Sequence, residues 1–256
     1  MPAFAAAAAV LPRLGGHVAP GRQDFAPLAH LRSTFAEPNH LRAFALTASM
    51  MFGTFAVVPF LSPYLVSNAG VPEGRLGVVY VAGGLVTLVG APAAGRLADR
   101  YGKLRVYRAL APALCVVLVV ATNLPPVPLA VAAAVVAALM LCNAGRVVPA
   151  TAMVVSSVAP GRRGGFLGAN AAVQHVAAGL GATAGGLVLA EAPDGAVANY
   201  WVAGLIGVAA TLLSLWLAGR LRPAGVGLEV GPAASPAAAA LTTAGVPEPL
   251  PAGPLA

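Results

Sequence analysis

Six apolar stretches, at 41–67, 76–98, 106–122, 127–158, 166–189 and 197–218, take up most of this 256-residue chain. A hydrocarbon core about 30 Å thick needs about 20 helical residues to cross it, and each stretch approaches or exceeds that length. Barrel strands do not fit, because they run about 10 residues in strict alternation, whereas these runs are long and rich in Ala, Leu and Gly. Composition points the same way: 59% of residues are hydrophobic and 9% charged, against roughly 25% charged in soluble domains. So little charge cannot cover a globular surface with hydrated groups, and lipid must solvate part of the chain. The expected fold class is an all-α membrane protein with six transmembrane helices. The fourth stretch is longer than one crossing and is expected to tilt or to pass beyond the bilayer.

Orientation follows from the positions of Lys and Arg. With both termini inside, thirteen of the fifteen bases fall on the inner side, Arg75 alone falls outside and Arg146 lies within a span. The expected organisation is a cytoplasmic segment at 1–40, a six-helix transmembrane domain at 41–220 and a disordered cytoplasmic tail at 221–256, in the plasma membrane. From Pro223 onward the tail is rich in Ala, Pro and Gly, with Glu229 and Glu248 as its charges, a composition that does not form a packed core. The outer connections are short, leaving no extracellular domain for an enzyme.

Several function classes recede on composition. The net charge of +7 sits in short clusters between apolar runs, and aromatics are only 6%, so a platform for stacking nucleic-acid bases is not expected. Cys115 and Cys142 lie inside apolar runs with no ligand or disulfide spacing. His17, His30 and His40 are scattered, with no metal spacing and no Ser/His/Asp grouping. Neither metal nor cofactor is implied, and an enzyme is not expected.

The most specific segment is Gly95-Arg96-Leu97-Ala98-Asp99-Arg100-Tyr101-Gly102-Lys103, at the inner turn between the second and third spans. Gly95 is expected to let helices approach closely, and Gly102 to supply the permissive backbone of a sharp reversal. Asp99 is the one acid among five nearby bases. There it can accept from a helix N-terminus and act as a reversible latch, while Arg100 and Lys103 anchor the loop at the anionic inner leaflet.

This run resembles the signature loop of the major facilitator superfamily, Gly-x-Leu-Ala-Asp-Arg-x-Gly-Arg-Lys. Seven positions agree: Gly95, Leu97, Ala98, Asp99, Arg100, Gly102 and the basic Lys103; Leu104 departs where a second base is usual. Flanking segments resemble the C-terminal half of the bacterial drug and sugar efflux branch. They are Pro38-Asn39-His40-Leu41-Arg42-Ala43-Phe44, Pro59-Phe60-Leu61-Ser62-Pro63-Tyr64, Gly145-Arg146-Val147-Val148-Pro149-Ala150 and Arg162-Arg163-Gly164-Gly165-Phe166. The antiport signature ending Gly-Pro-x-x-Gly-Gly is not matched, since no proline precedes Gly185-Gly186. The resemblance implies one six-span half of a twelve-span transporter. Residues 13–37 would be the central loop, and residues 5–12 the end of a preceding span.

Ionisable residues inside a bilayer are costly and usually mark a pathway. Arg146 and His175 lie near mid-depth, with Asn143 one turn from Arg146, and Asn170 and Gln174 sharing a face at i and i+4. These five are the candidate cavity residues. Arg146 suits an anionic group or, alternatively, carbonyls freed by Pro149; Asn170 and Gln174 suit a cavity or helix-to-helix bonding. Gly83, Gly84, Gly181 and Gly185 are expected to be close-packing positions, and Pro59 and Pro63 to kink the first span. No span holds an Asp or Glu at depth. The function expected from the resemblance is transport of a small organic solute, as proton-coupled efflux by alternating access. The partners are lipid, a small-molecule substrate, protons, and either a missing N-terminal half or a second copy. The alternatives are a half-size homodimer and an inactive truncated membrane protein.

Overall fold

The computed structural model describes residues 35–224; the readings for residues 5–12 and most of 13–37, and for the tail beyond 224, lie outside them. Within that range six helices are long and apolar enough to cross a membrane. The first span is α1 (Pro38–Val57) and α2 (Leu61–Ser67), joined by a 3-10 turn at Val58–Phe60. Pro59 causes the break, because it has no N–H to continue the ladder. Leu61 N then donates to Val58 O, and the Tyr200 hydroxyl donates to Val57 O at 3.0 Å. The remaining spans are α3 (Leu76–Tyr101), α4 (Lys103–Thr122), α5 (Leu129–Ser156), α6 (Arg163–Val188) and α7 (Tyr200–Ala218).

Two boundaries differ from the hydropathy reading. The motif between the second and third spans is almost wholly helical: α3 continues to Tyr101, α4 opens at Lys103, and Gly102 alone makes the turn. Charged residues end an apolar run but not a helix, which continues past the hydrocarbon into the headgroups. At the other end of the bundle, Val197 is not the start of the sixth helix. Strand β1 (Ala190–Glu191) pairs antiparallel with β2 (Val197–Ala198), and α7 begins only after Asn199. Asp194 Oδ1 accepts from Ala196 N at 3.1 Å and Gly195 takes a positive φ, which closes this hairpin.

An asparagine ties the bundle at each face. Asn68 Nδ2 donates to Val197 O at 3.0 Å, and its Oδ1 accepts from Val197 N at 2.9 Å, copying a strand's pairing. At the opposite end, Asn39 Nδ2 donates to Arg222 O at 2.7 Å, and its Oδ1 accepts from Arg222 N at 3.1 Å. Residues 221–224, expected to belong to a disordered tail, are thereby held against the bundle.

The helices pack in the order α3–α5–α4–α7–α1–α6. Exchanging the first three spans for the last three (α1 with α5, α3 with α6, α4 with α7) turns this order into its own reverse. Such a palindrome is the mark of an inverted three-plus-three repeat. The core divides into two layers. One holds Val57, Leu61, Leu114, Leu118 and Tyr200; the other holds Phe44, Met50, Tyr107, Val154 and Phe166.

Helices α3 and α6 end the row and bury least. α3 buries only Val79, Gly83, Ala94 and Ala98, and its Leu88 and Val89 are each 72% exposed. Helix α6 buries a single stripe, Phe166, Asn170, Ala177, Gly181 and Gly185, against α1. A Cβ on Gly181 would strike the Phe52 carbonyl, and one on Gly185 the Ala56 carbonyl, so both glycines are close-approach positions. Gly83 packs on Met140, whereas Gly84 and Gly95 correct the expectation. Gly84 faces open space, and a Cβ at Gly95 would meet Val148 at an ordinary 3.6 Å.

Candidate functional site

Arg146 stands ten residues before the end of α5, about 15 Å along the helix axis. It is 1% exposed, and it lies between the two core layers. Its Nε and Nη2 both donate to Asn143 Oδ1, at 3.3 and 3.1 Å. Nη2 also reaches Thr54 Oγ1 at 3.0 Å and Met50 O at 3.4 Å, and Nη1 reaches Thr211 Oγ1 at 3.2 Å. Arg146 thus joins α5 to α1 and α7. It does not take carbonyls of its own helix freed by Pro149, which was the alternative reading.

Each acceptor is itself anchored. Thr54 Oγ1 donates to Asn143 Oδ1 at 3.0 Å, and Thr211 Oγ1 donates to Gly207 O at 2.8 Å. Nearby, the Tyr107 and Ser214 hydroxyls share a 2.6 Å bond. Among the described residues no carboxylate pairs with Arg146; the ion pairs there join Glu37 to His40 and Arg162. A full positive charge is therefore held at mid-depth by neutral dipoles alone.

Beside this network is a cavity of about 220 Å³ between α1, α2, α3, α4 and α5. Thr54, Tyr80, Thr87, Asn143 and Arg146 supply its polar lining; Leu61, Leu114, Leu118, Leu139 and Met140 supply apolar walls. The Tyr80 hydroxyl bonds Ser62 Oγ at 2.6 Å, and Ser62 lines a separate groove with Glu73 and Glu191. That bond joins the wall of the cavity to the wall of the groove.

Of the five expected cavity residues, Arg146 and Asn143 come together here, and the other three do not. Asn170 lies in the seam between α1 and α6, where its Oδ1 accepts from Thr47 Oγ1 at 2.7 Å. Gln174 is half-buried and His175 exposed on the flank of α6, away from the cavity wall. The reason is the packing order, which puts α6 at the far end of the row from α5. Thr54, Thr87, Thr211, Tyr80 and Tyr107 were not anticipated. Threonine in a helix can bond a carbonyl of its own preceding turn, as Thr211 does to Gly207, so its presence in a span carries no sign of burial cost.

Asp99 and Arg100 are exposed in the last turn of α3. Asp99 makes no hydrogen bond or ion pair with the described residues, and the N-terminus of α4 has no side-chain cap. Within these six spans it does not meet a helix N-terminus, because Asp99 points outward from within a helix. It borders a groove with Gly102, Lys103, Met153, Ser156 and Arg222. Gly102 turns the chain at φ 95° and ψ 136° while its N–H donates to Ala98 O at 3.0 Å. L-residues avoid that region at a cost of about 1–3 kcal/mol. Gly102→Ala is therefore expected to lower the melting temperature in detergent by several degrees, with Gly84→Ala melting at or above wild type.

Six membrane-length helices in inverted-repeat order around a polar chamber at mid-depth define a multi-pass protein of the solute-carrying kind. The Major Facilitator Superfamily profile matches residues 43–250. The chain belongs to that superfamily, whose members transport solutes across membranes. No curated protein and no solved structure matches it.

Proposed function

We propose that this chain exports a small organic solute from the cell by proton-coupled alternating access in the plasma membrane, with both termini cytoplasmic. The observation that carries this is the polar chamber: a cavity with Arg146, Asn143, Thr54 and Thr87 on its wall at the depth where such transporters seat their substrates. Efflux draws on the resemblance of the flanking segments to the drug and sugar efflux branch. A second six-span bundle, another copy or a separate half, completes the pathway across the exposed faces of α3 and α6. It would also supply the titrating carboxylate, since no span of this chain holds an Asp or Glu at depth.

Everted vesicles from cells making the protein test the reading. With a proton gradient established, adding a transported solute is expected to discharge it, seen as recovery of acridine-orange fluorescence. A panel of neutral, anionic and cationic solutes with no effect on the gradient would reject proton coupling. Solute uptake indifferent to the gradient would leave efflux and remove the coupling.

Orientation has its own test. A cysteine replacing exposed Asp99, with Cys115 and Cys142 changed to serine, is expected to react with an impermeant maleimide in everted vesicles and not in intact cells. The opposite pattern would invert the topology.

A further inference from the structure

The chamber carries a sign. Asn143 Oδ1 accepts three hydrogen bonds, two from the Arg146 guanidinium and one from Thr54. Those donors fix the amide, because turning it over would set N–H against N–H. Its Nδ2, with two donor hydrogens, is thereby directed away from Arg146. Among the described residues Nδ2 has no acceptor, and Asn143 lines the cavity. Thr87 Oγ1, on the opposing wall of α3, is buried without any hydrogen-bond partner. Spare donors thus line one small space, and the unneutralised charge of Arg146 lies behind them. Most of the remaining wall is apolar, four leucines with Val58, Met140 and Ala144, while Thr54 and Tyr80 add hydroxyls already bonded to Asn143 and Ser62.

We infer that the chamber takes a small amphiphilic anion, whose carboxylate or similar acceptor-only group sits on Asn143 Nδ2 and Thr87 Oγ1 while its apolar body rests on Leu114, Leu118 and Leu139. This rests on the transport reading above and adds the charge class of the substrate. Arg146 is a positioning residue here: it orients the Asn143 amide and supplies the field, which acts strongly in a low-dielectric site. A cation would meet like charge, and Asn143 Nδ2 would face its N–H groups donor to donor; the Thr87 hydroxyl alone could accept from it. A neutral amide would use the donors but gain nothing from the charge.

The probes are benzoate, benzamide and benzylammonium, with binding measured on the purified full chain in detergent. Benzoate is expected to bind about tenfold or more tighter than either analogue, the scale of one charge-assisted hydrogen bond. Thr87→Val should weaken benzoate and leave melting near wild type; Asn143→Ala should weaken it too but lower the melting temperature, because it removes the acceptor of Arg146 Nε. Arg146→Gln should abolish the preference for benzoate over benzamide, and Ala144→Phe, filling the chamber from α5, should remove binding. Equal or tighter binding of benzylammonium overturns the inference, as does benzoate binding indifferent to Ala144→Phe or to both Asn143→Ala and Thr87→Val. No binding by any probe overturns it too. Solute-driven discharge in vesicles by a cation or neutral compound would then show that transport stands without the anionic preference.

Discussion

Replacing Gly181 with valine is expected to leave almost no correctly assembled protein in the membrane, while Gly179→Val gives near wild-type yield. The two positions are two residues apart on α6 and differ in what a side chain would meet. At Gly179 a Cβ finds nothing within 4 Å; at Gly181 it runs into the Phe52 carbonyl, with Phe52 Cα at 2.9 Å. These are backbone atoms of α1, so no rotamer change makes room. Lipid tails offer no hydrophobic drive toward helix association, which depends on close packing and interhelical hydrogen bonds. Separating α1 from α6 costs both at once, because the Thr47–Asn170 bond at 2.7 Å lies in the same seam. Overpacking of this kind costs about 1–3 kcal/mol and sometimes more, against a total stability of about 5–15 kcal/mol. Yield of monodisperse protein on size-exclusion chromatography reads the result. Wild-type yield for Gly181→Val would mean that the two helices do not approach as closely as they do here.

What the sequence made legible follows the cost of each feature. Spans can be read because a bilayer of fixed thickness demands a minimum run of apolar residues, and the six helices lie where those runs lie. Their ends cannot, because helix and hydrocarbon stop for different reasons. Arg105 and Lys103 end the apolar run yet belong to α4, whereas apolar Val197 leaves the helix for a strand pair fixed by Asn68. That asparagine pairing spans more than a hundred residues and has no local signature.

The chamber was half legible for a related reason. Arg146 announces itself, since a charge at mid-depth is expensive, and Asn143 is its neighbour by helical spacing. Asn170, Gln174 and His175 show the limit of the same argument. Periodicity says that Asn170 and Gln174 share a face but not which helix that face meets. The answer depends on the order α3–α5–α4–α7–α1–α6, which no single span encodes. The threonines that complete the site were silent, as Thr211 is satisfied by its own helix through Gly207.

Arg146→Met is expected to abolish transport while the protein melts at or slightly above the wild-type temperature. The two halves of this expectation come from the same arrangement. Arg146 is desolvated without a carboxylate partner, so its folded state bears the burial of a charge repaid only by neutral acceptors. Replacing a buried charge by an apolar side chain of similar length is often neutral or stabilising for this reason. Removing the guanidinium also strands no donor. Thr54 still donates to Asn143, and Thr211 to Gly207. What disappears is the field in the chamber and the pair of bonds that hold the Asn143 amide facing the cavity. Arg146→Lys separates these contributions: it keeps the charge but cannot make the two parallel bonds to one oxygen that a planar guanidinium makes. Its transport should fall between wild type and Arg146→Met. If Arg146→Met instead melted far below wild type, the arginine would be a structural tie between α1, α5 and α7, and its charge would have no claim on function.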